Sequence, residues 1–346
     1  MILTYRYRVK NLNGLLNSYS RAVNFVWNYC NDVQKHSLRW GRRWPSGFDL
    51  INLTSGISKE LKIPATTINE ICRQYAKSIS QKNRPYLRYR GRRSLGWVPF
   101  RAEAIRADGQ DFVFYGSRFK VFNSRSIPED ARIKDGGSFS QDAKGNWYLN
   151  IVLEIAEPET RVPAKQVGID LGLKDFATLS TGDKVANTRH FRSLEKRLAV
   201  AQRANKRRQA LNIHTKIKNR RRDELHKLSN RLTKEFDYIA VGNVNAAGLK
   251  KTKLAKSVSD AGWSTFRNML AYKSIRNGAV YQEVNEAWST QTCSQCGAIS
   301  GPKGQSGLNK RMWSCSGCGH NHDRDVNAAI CILRLGQQSP VLGIAA

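Results

Sequence analysis

Acidic residues are scarce: the 346-residue chain carries Asp+Glu 27 against Lys+Arg 58, a net charge of +31. Such a surplus repels itself unless a polyanion neutralises it, and nucleic acid is a commoner partner than a membrane surface. No run of about 18 apolar residues is available to span a bilayer. The opening Met1-Ile2-Leu3-Thr4-Tyr5-Arg6-Tyr7-Arg8 lacks an apolar signal core with a cleavage site. A cytoplasmic protein, or a nuclear one if the host has a nucleus, with no membrane partner, is the expectation. Internal repeats and low-complexity tracts are missing as well. So is a disulfide framework: of seven cysteines, four form two close pairs near the C-terminus, while Cys30, Cys72 and Cys331 are expected to stand alone in apolar surroundings. That is metal-site usage in a reducing compartment. A hydrophobic fraction of 40% and an aromatic fraction of 9% exclude wholesale disorder, and the length suits about two domains.

Residues 2 to 10 alternate like a strand. Residues 11 to about 82 change to helical spacing, with Leu16, Val23, Val26 and Cys30 in register and a helix start at Thr66-Thr67-Ile68-Asn69-Glu70. From Arg84 to Arg93 arginines interleave with aromatics and no acid intervenes. Alternating runs such as 111–115 and 147–153 predict antiparallel strands over about 97–156, and 157–163 reads as a linker. A strand, turn and second strand follow over 166–180. Residues 191–236 predict a long basic helical stretch, broken near Asn212-Ile213-His214. A strand at 238–242, a helix at 260–276, a strand at 279–285 and a last helix at 325–335 complete the pattern.

Cys293-x-x-Cys296 and Cys315-x-x-Cys318, eighteen residues apart, have the spacing of a four-cysteine zinc ribbon. Gly297, Gly317 and Gly319 follow the cysteines and let two thiolates per knuckle converge on one structural zinc ion. His320 and His322 lie near, but four sulfurs already fill such a site. Asp170 sits in the apolar run Val167-Gly168-Ile169-Asp170-Leu171-Gly172, where it needs a partner such as a divalent cation or serves to cap a turn. Asp325, in Asp323-Arg324-Asp325-Val326-Asn327-Ala328-Ala329, is a second such acid or a helix cap. A two-metal phosphodiester site draws carboxylates from several elements, so a third acid is expected.

The order of Gly-Ile-Asp-Leu-Gly, long basic helices, four-cysteine ribbon and Asp-Arg-Asp-x-Asn-Ala-Ala resembles the TnpB family of transposon-encoded RNA-guided nucleases, related to type V CRISPR effectors and Fanzor proteins. The segments 257–266 and 270–273 are similar to the family's stretch ahead of its ribbon. The resemblance implies an α+β multidomain fold. Residues 1–10 and 84–165 would form a wedge-like β-barrel, with 11–83 a helical recognition insert. Residues 166–292 would be a RuvC-like, RNase H-type nuclease domain, 293–318 the zinc ribbon, and 319–346 the end of the nuclease domain and a tail. It also implies an Asp, Glu, Asp triad holding magnesium, two ions in all. Asp170 and Asp325 fall on the two Asp positions, but the middle Glu position is Gly242. Glu286, at the end of the next strand, is the candidate replacement, as in Fanzor-like and some TnpB proteins; neighbouring strands lie about 4.8 Å apart. Otherwise Glu286 is a surface or capping acid.

The expected function is RNA-guided, magnesium-dependent DNA cleavage by Asp170, Glu286 and Asp325. A guide RNA would pair with target DNA while the protein, as a monomer rather than a dimer, reads a short flanking motif. Candidate nucleic-acid contacts are Arg84, Arg88, Arg90, Arg92, Arg93, Arg203, Arg207, Arg208 and Arg221; Tyr86, Tyr89 and Trp97 would either stack on bases or pack in a core. Three alternatives remain open from the residues: a nuclease-dead RNA-guided repressor, a guide-independent structure-specific nuclease, and a plain zinc-ribbon nucleic-acid binder.

Overall fold

The computed structural model describes residues 1–82, 84–249, 251–303, 307 and 310–338. Residue 83 of the expected insert and residues 339–346 of the expected tail lie outside the described residues. The protein has two compact units, Met1–Ala156 and Glu157–Ala346.

In the first unit the strand Ile2–Val9 buries Leu3, Tyr5, Tyr7 and Val9 on one face, as its alternation requires. It lies within a five-stranded sheet ordered Trp97–Phe100, Arg132–Gln141, Trp147–Glu154, Ile2–Val9, Val121–Phe122. A second, three-stranded sheet comprises Ile105–Asp108, Asp111–Phe114 and Ser117–Phe119. The chain passes from one sheet to the other at 101–104 and returns at Lys120, so the sheets share two corners. Phe100, Phe114, Phe119 and Phe139, all buried, meet between them, with the Phe114 and Phe139 centroids 4.9 Å apart.

Between the first two strands of the sequence come helices Asn13–Arg39, Gly47–Leu53, Ser58–Leu61 and Ala65–Lys82. Cys30 and Cys72 do not stand alone as expected. They face each other across the first and last of these helices, Sγ to Sγ 3.9 Å, because both lie on the buried stripes that pack together.

The second unit is built on a five-stranded sheet ordered Lys184–Ala186, Asp175–Leu179, Gln166–Leu171, Tyr238–Gly242, Val280–Val284. The first three strands form an antiparallel meander, and the last two run parallel to Gln166–Leu171. Side-chain alternation divides the sheet. Val167, Ile169, Ile239 and Val241 enter a core with Leu225, Leu232, Phe266 and Leu270 of the helices Arg207–Glu235 and Trp263–Asn277. Gly168, Asp170, Ala240 and Gly242 belong to the other face, which the C-terminal helix Arg324–Gln338 covers. A Cβ at Gly168 would lie 2.0 Å from Ala329 O, so the absence of a side chain there lets the helix rest on the strand.

The basic stretch is two helices, His190–Arg203 and Arg207–Glu235, and the break falls at 204–206 rather than at 212–214. Asn205 turns the chain with φ 52°, while Ile213 stays helical because it is buried against Leu194 and Leu198. The helix expected at 260–276 is also two, Ala255–Ala261 and Trp263–Asn277, interrupted by Gly262 at φ 74°. The expected linker is anchored to this unit. Arg161 Nη2 donates to the carbonyls of Thr233 and Phe236 at 2.7 and 2.9 Å, at the end of the long basic helix.

Candidate carboxylate cluster and cysteine module

Asp170 lies one residue from the end of the central strand, on the face beneath the C-terminal helix. In the parallel register Val241 is opposite Ile169 and Gly242 is opposite Val284, so the ends of three strands come level there. Glu286 follows two residues after the last of them. It is neither a surface acid nor a cap. A Cβ built on Gly242 would lie 2.3 Å from Glu286 Oε2 and 3.1 Å from Glu286 Cβ. The Glu286 side chain thus fills the space that a side chain at 242 would need. Its Oε2 is buried, with no hydrogen-bond partner among the described residues.

Asp325 enters from the first turn of the C-terminal helix. The capping role belongs to Asp323 instead, whose Oδ1 accepts from the N–H groups of Asp325 and Val326 at 3.0 and 3.1 Å. The Asp325 carboxylate pairs with Arg311 through Oδ2 and with Arg324 through Oδ1, the latter at 3.2 Å. Glu286 and Asp325 both act on Asp170. Burial first, then the charges of Glu286 and Asp325, push Asp170 up to about 7, against the pull of Arg324 and Arg311. Glu286 is raised by burial, opposed by Arg267. Crowded, desolvated carboxylates of this kind mark functional sites more often than structural ones. Their all-oxygen donor set suits magnesium. Arg267, Arg311 and Arg324 were not legible as members of the cluster. Arg324 alone gave a local signal, by standing beside Asp325; Arg311 reaches the acid only through the folded cysteine module.

The four cysteines place their sulfurs within 4.8 Å of one another. Cys293 and Cys318 Sγ are 3.7 Å apart, and Cys296 and Cys315 Sγ are 3.6 Å apart. A tetrahedron with Zn–S bonds of about 2.3 Å has edges of roughly 3.8 Å, so the residues fit a metal such as zinc. The Ser300 hydroxyl, 3.2 Å away, and nearby backbone N–H groups lower Cys315 to about 6, favouring the thiolate that a metal needs. Gly297 and Gly319 take φ of 80° and 72°, which closes each knuckle. His322 Nε2 lies 3.0 Å from Cys293 Sγ and its ring packs on Trp313, a supporting contact to a ligand sulfur.

The predicted nucleic-acid contacts divide by what they touch. Arg84, Arg88, Arg92, Arg93, Arg203, Arg207 and Arg208 are exposed. Arg90 serves the fold: Nε donates to Asn24 Oδ1 at 2.6 Å and Nη2 to Leu95 O at 2.7 Å. Arg221 is likewise occupied, with Nη1 donating to Ser259 O at 2.8 Å. The arginine segment is strapped to the helix Asn13–Arg39. Asn31 bonds both the carbonyl and the N–H of Leu87, Asn28 does the same for Arg90, and Gln34 donates to Pro85 O. Tyr86 and Tyr89 stay exposed beneath Lys35, whose Nζ is 4.8 and 4.4 Å from their ring centroids. Trp97 packs edge-on against Trp27.

Comparison with known proteins agrees with this arrangement. Residues 150–253 match a family model described as "Probable transposase", and residues 263–332 match the Cas12f1-like TNB domain. A protein of Streptomyces pristinaespiralis, whose name proposes an RNA-guided DNA endonuclease, is 37% identical over 234 residues, covering 64% of this chain and 57% of that protein. The TnpB-like protein L79 of Acanthamoeba polyphaga mimivirus is 29% identical over 196 residues, covering 49% of this chain and 37% of that protein. Over these segments the chain is similar to proteins of the TnpB family. It spans 57% and 37% of the length of these two relatives. A solved Cas12f1-sgRNA-target DNA complex aligns over 96% of this chain and 99% of that one, at 12% identity and a TM-score of 0.39. The first matched segment contains Gly242 and the second contains Glu286.

Proposed function

We propose that this chain is an RNA-guided DNA endonuclease of the TnpB family whose RuvC-like site uses Asp170, Glu286 and Asp325. The observation that carries the reading is the Glu286 side chain lying over Gly242: the acid missing from one strand end is supplied from the next. The strand order, an antiparallel meander followed by two parallel strands, supports an RNase H-type assignment for the second unit. Magnesium held by the three carboxylates would activate water and steady the leaving 3′ oxygen. The chain's own part is to hold three acids, largely desolvated, at one end of the sheet, and to bring a strand of DNA to them.

The names of the relatives support a guide RNA and a target DNA as partners. The exposed arginines of 84–93 and 203–208 supply backbone contacts, and the segment 1–10 with 84–165 acts as the wedge around its helical insert. A nuclease-dead repressor would have no use for a compensating acid buried beside Gly242, and a guide-independent nuclease would cut with no RNA present.

The test is to co-express the chain with its native flanking DNA, recover the RNA-bound protein, and offer a matched double-stranded target with magnesium. Wild type should cut and Glu286→Gln should not, with binding retained by both. Guided binding with cutting by neither would overturn the nuclease reading, and cutting without RNA would overturn guidance.

A further inference from the structure

Three acids in the cluster are met by three arginines, and the arginines differ in how they are held. Arg267, 15% exposed, is fixed to Glu283 at 2.5 Å. Arg324, 14% exposed, is fixed both to Asp325 and, through Nη1 at 3.1 Å, to Gly307 O. Arg311 is the most open at 31%, and among the described residues Asp325 is the partner of its guanidinium.

The backbone of Arg311 is held in place. It precedes the strand Met312–Ser314, which pairs with Asn321–Asp323, and its carbonyl accepts from Arg324 N–H at 2.7 Å. This hairpin, part of the cysteine module, therefore sets the Arg311 side chain opposite Asp325, with solvent beside its guanidinium.

Asp325 has both oxygens engaged by guanidinium groups. Among the described residues the four thiols are the group that converges within 4.8 Å; the three carboxylates do not converge to that degree. A divalent cation approaching Asp325 meets a like charge already seated on the oxygen it needs. Arg324 and Arg267 have second anchors, so the guanidinium that can leave is that of Arg311.

We propose that Arg311 is a displaceable counter-ion that competes with divalent cations for Asp325, so that loading the carboxylate cluster and releasing Arg311 are a single exchange. The proposal rests on the reading of Asp170, Glu286 and Asp325 as cation ligands. Its consequence is that the cysteine module regulates the affinity of the cluster, by presenting or withdrawing one arginine. With Arg311 turned away, Asp325 Oδ2 is open to a cation while Oδ1 stays on Arg324.

The test measures Mn2+ binding, by electron paramagnetic resonance on zinc-replete full-length protein, for wild type, Arg311→Gln, Arg311→Lys and Asp170→Asn/Asp325→Asn. Zinc content of each variant checks that the cysteine module is folded. Arg311→Gln should tighten Mn2+ binding by about tenfold, the equivalent of losing one charge-assisted hydrogen bond. Arg311→Lys, which keeps the charge, should stay near wild type, and the double variant should lose the site. Affinity of Arg311→Gln within about twofold of wild type, or weaker, would overturn the competition while leaving the ligand reading intact. Absence of any Mn2+ site that the double variant removes would instead overturn the ligand reading, and the role of Arg311 with it.

Discussion

Replacing Asp170 by Asn isolates the electrostatic strain of the cluster. The Asp170 carboxyl stands at about 7 instead of the ordinary 3.8, raised by burial and by its two acidic neighbours. Because its value is raised, the folded protein keeps this proton where the unfolded chain has lost it. The stabilisation is therefore full below the unfolded value and disappears as pH rises through about 7. Each unit is worth about 1.4 kcal/mol, so moving from about pH 5.5 to pH 8 should cost wild type roughly 2 kcal/mol from this group alone. For a unit of this size that is a fall in Tm of about 4–8 °C. Differential scanning calorimetry in zinc-replete, magnesium-free buffer at the two pH values would measure it. Asp170→Asn should melt above wild type at pH 8 and lose most of the pH dependence. Glu286, raised in the same direction, should account for part of what remains, so Glu286→Gln in the same background should flatten it further. Equal pH shifts in wild type and Asp170→Asn would refute the reasoning, because they would place the titrating groups elsewhere in the protein.

Gly242→Glu alone should lose cleavage and cost about 1–3 kcal/mol by crowding Glu286 and Ile332; paired with Glu286→Ala it should recover cleavage, read on a guided target. Cys315→Ser should lower bound zinc below one ion per chain by mass spectrometry and destabilise the second unit, since the metal ties two knuckles together. Asn31→Ala strands the Leu87 N–H and carbonyl and the Tyr75 hydroxyl, and should cost about 2–4 kcal/mol in urea unfolding. Arg207→Gln and Arg208→Gln should each reduce the salt slope of nucleic-acid binding by about 0.9, whereas Arg90→Gln, being committed to the fold, should leave the slope unchanged and lower Tm.

Much of the sheet is legible because burial on both faces writes itself as apolar runs: 166–180 forms two strands and a turn, and 238–242 and 279–285 each form a strand, close to the expected limits. The cysteine spacing was equally plain, since two knuckles need little beyond their own few residues. Local patterns failed where a long-range contact decided the outcome. Asn212-Ile213-His214 reads as a break, yet packing of Ile213 on the preceding helix keeps it helical and moves the turn to Asn205. Asp323 and Asp325 are both good caps by type, and only the bonds to the helix N–H groups assign the cap to Asp323 and free Asp325 for the cluster. Glu286 could be inferred because Gly242 left a gap at a level the parallel register predicts. Arg311 and Arg267 could not, because nothing in their neighbouring residues points to an acid many residues away.

The strap over residues 85–90 is held through main-chain groups. Asn28, Asn31 and Gln34 grip its amides and carbonyls, and of its side chains Leu87, Tyr89 and Arg90 add to the hold, so its path does not depend on the exposed arginines. Arg84, Arg88, Arg92 and Arg93 therefore form an interchangeable cassette: sequence drift or engineering can rewrite the chemistry presented along this edge without rebuilding the helix that carries it.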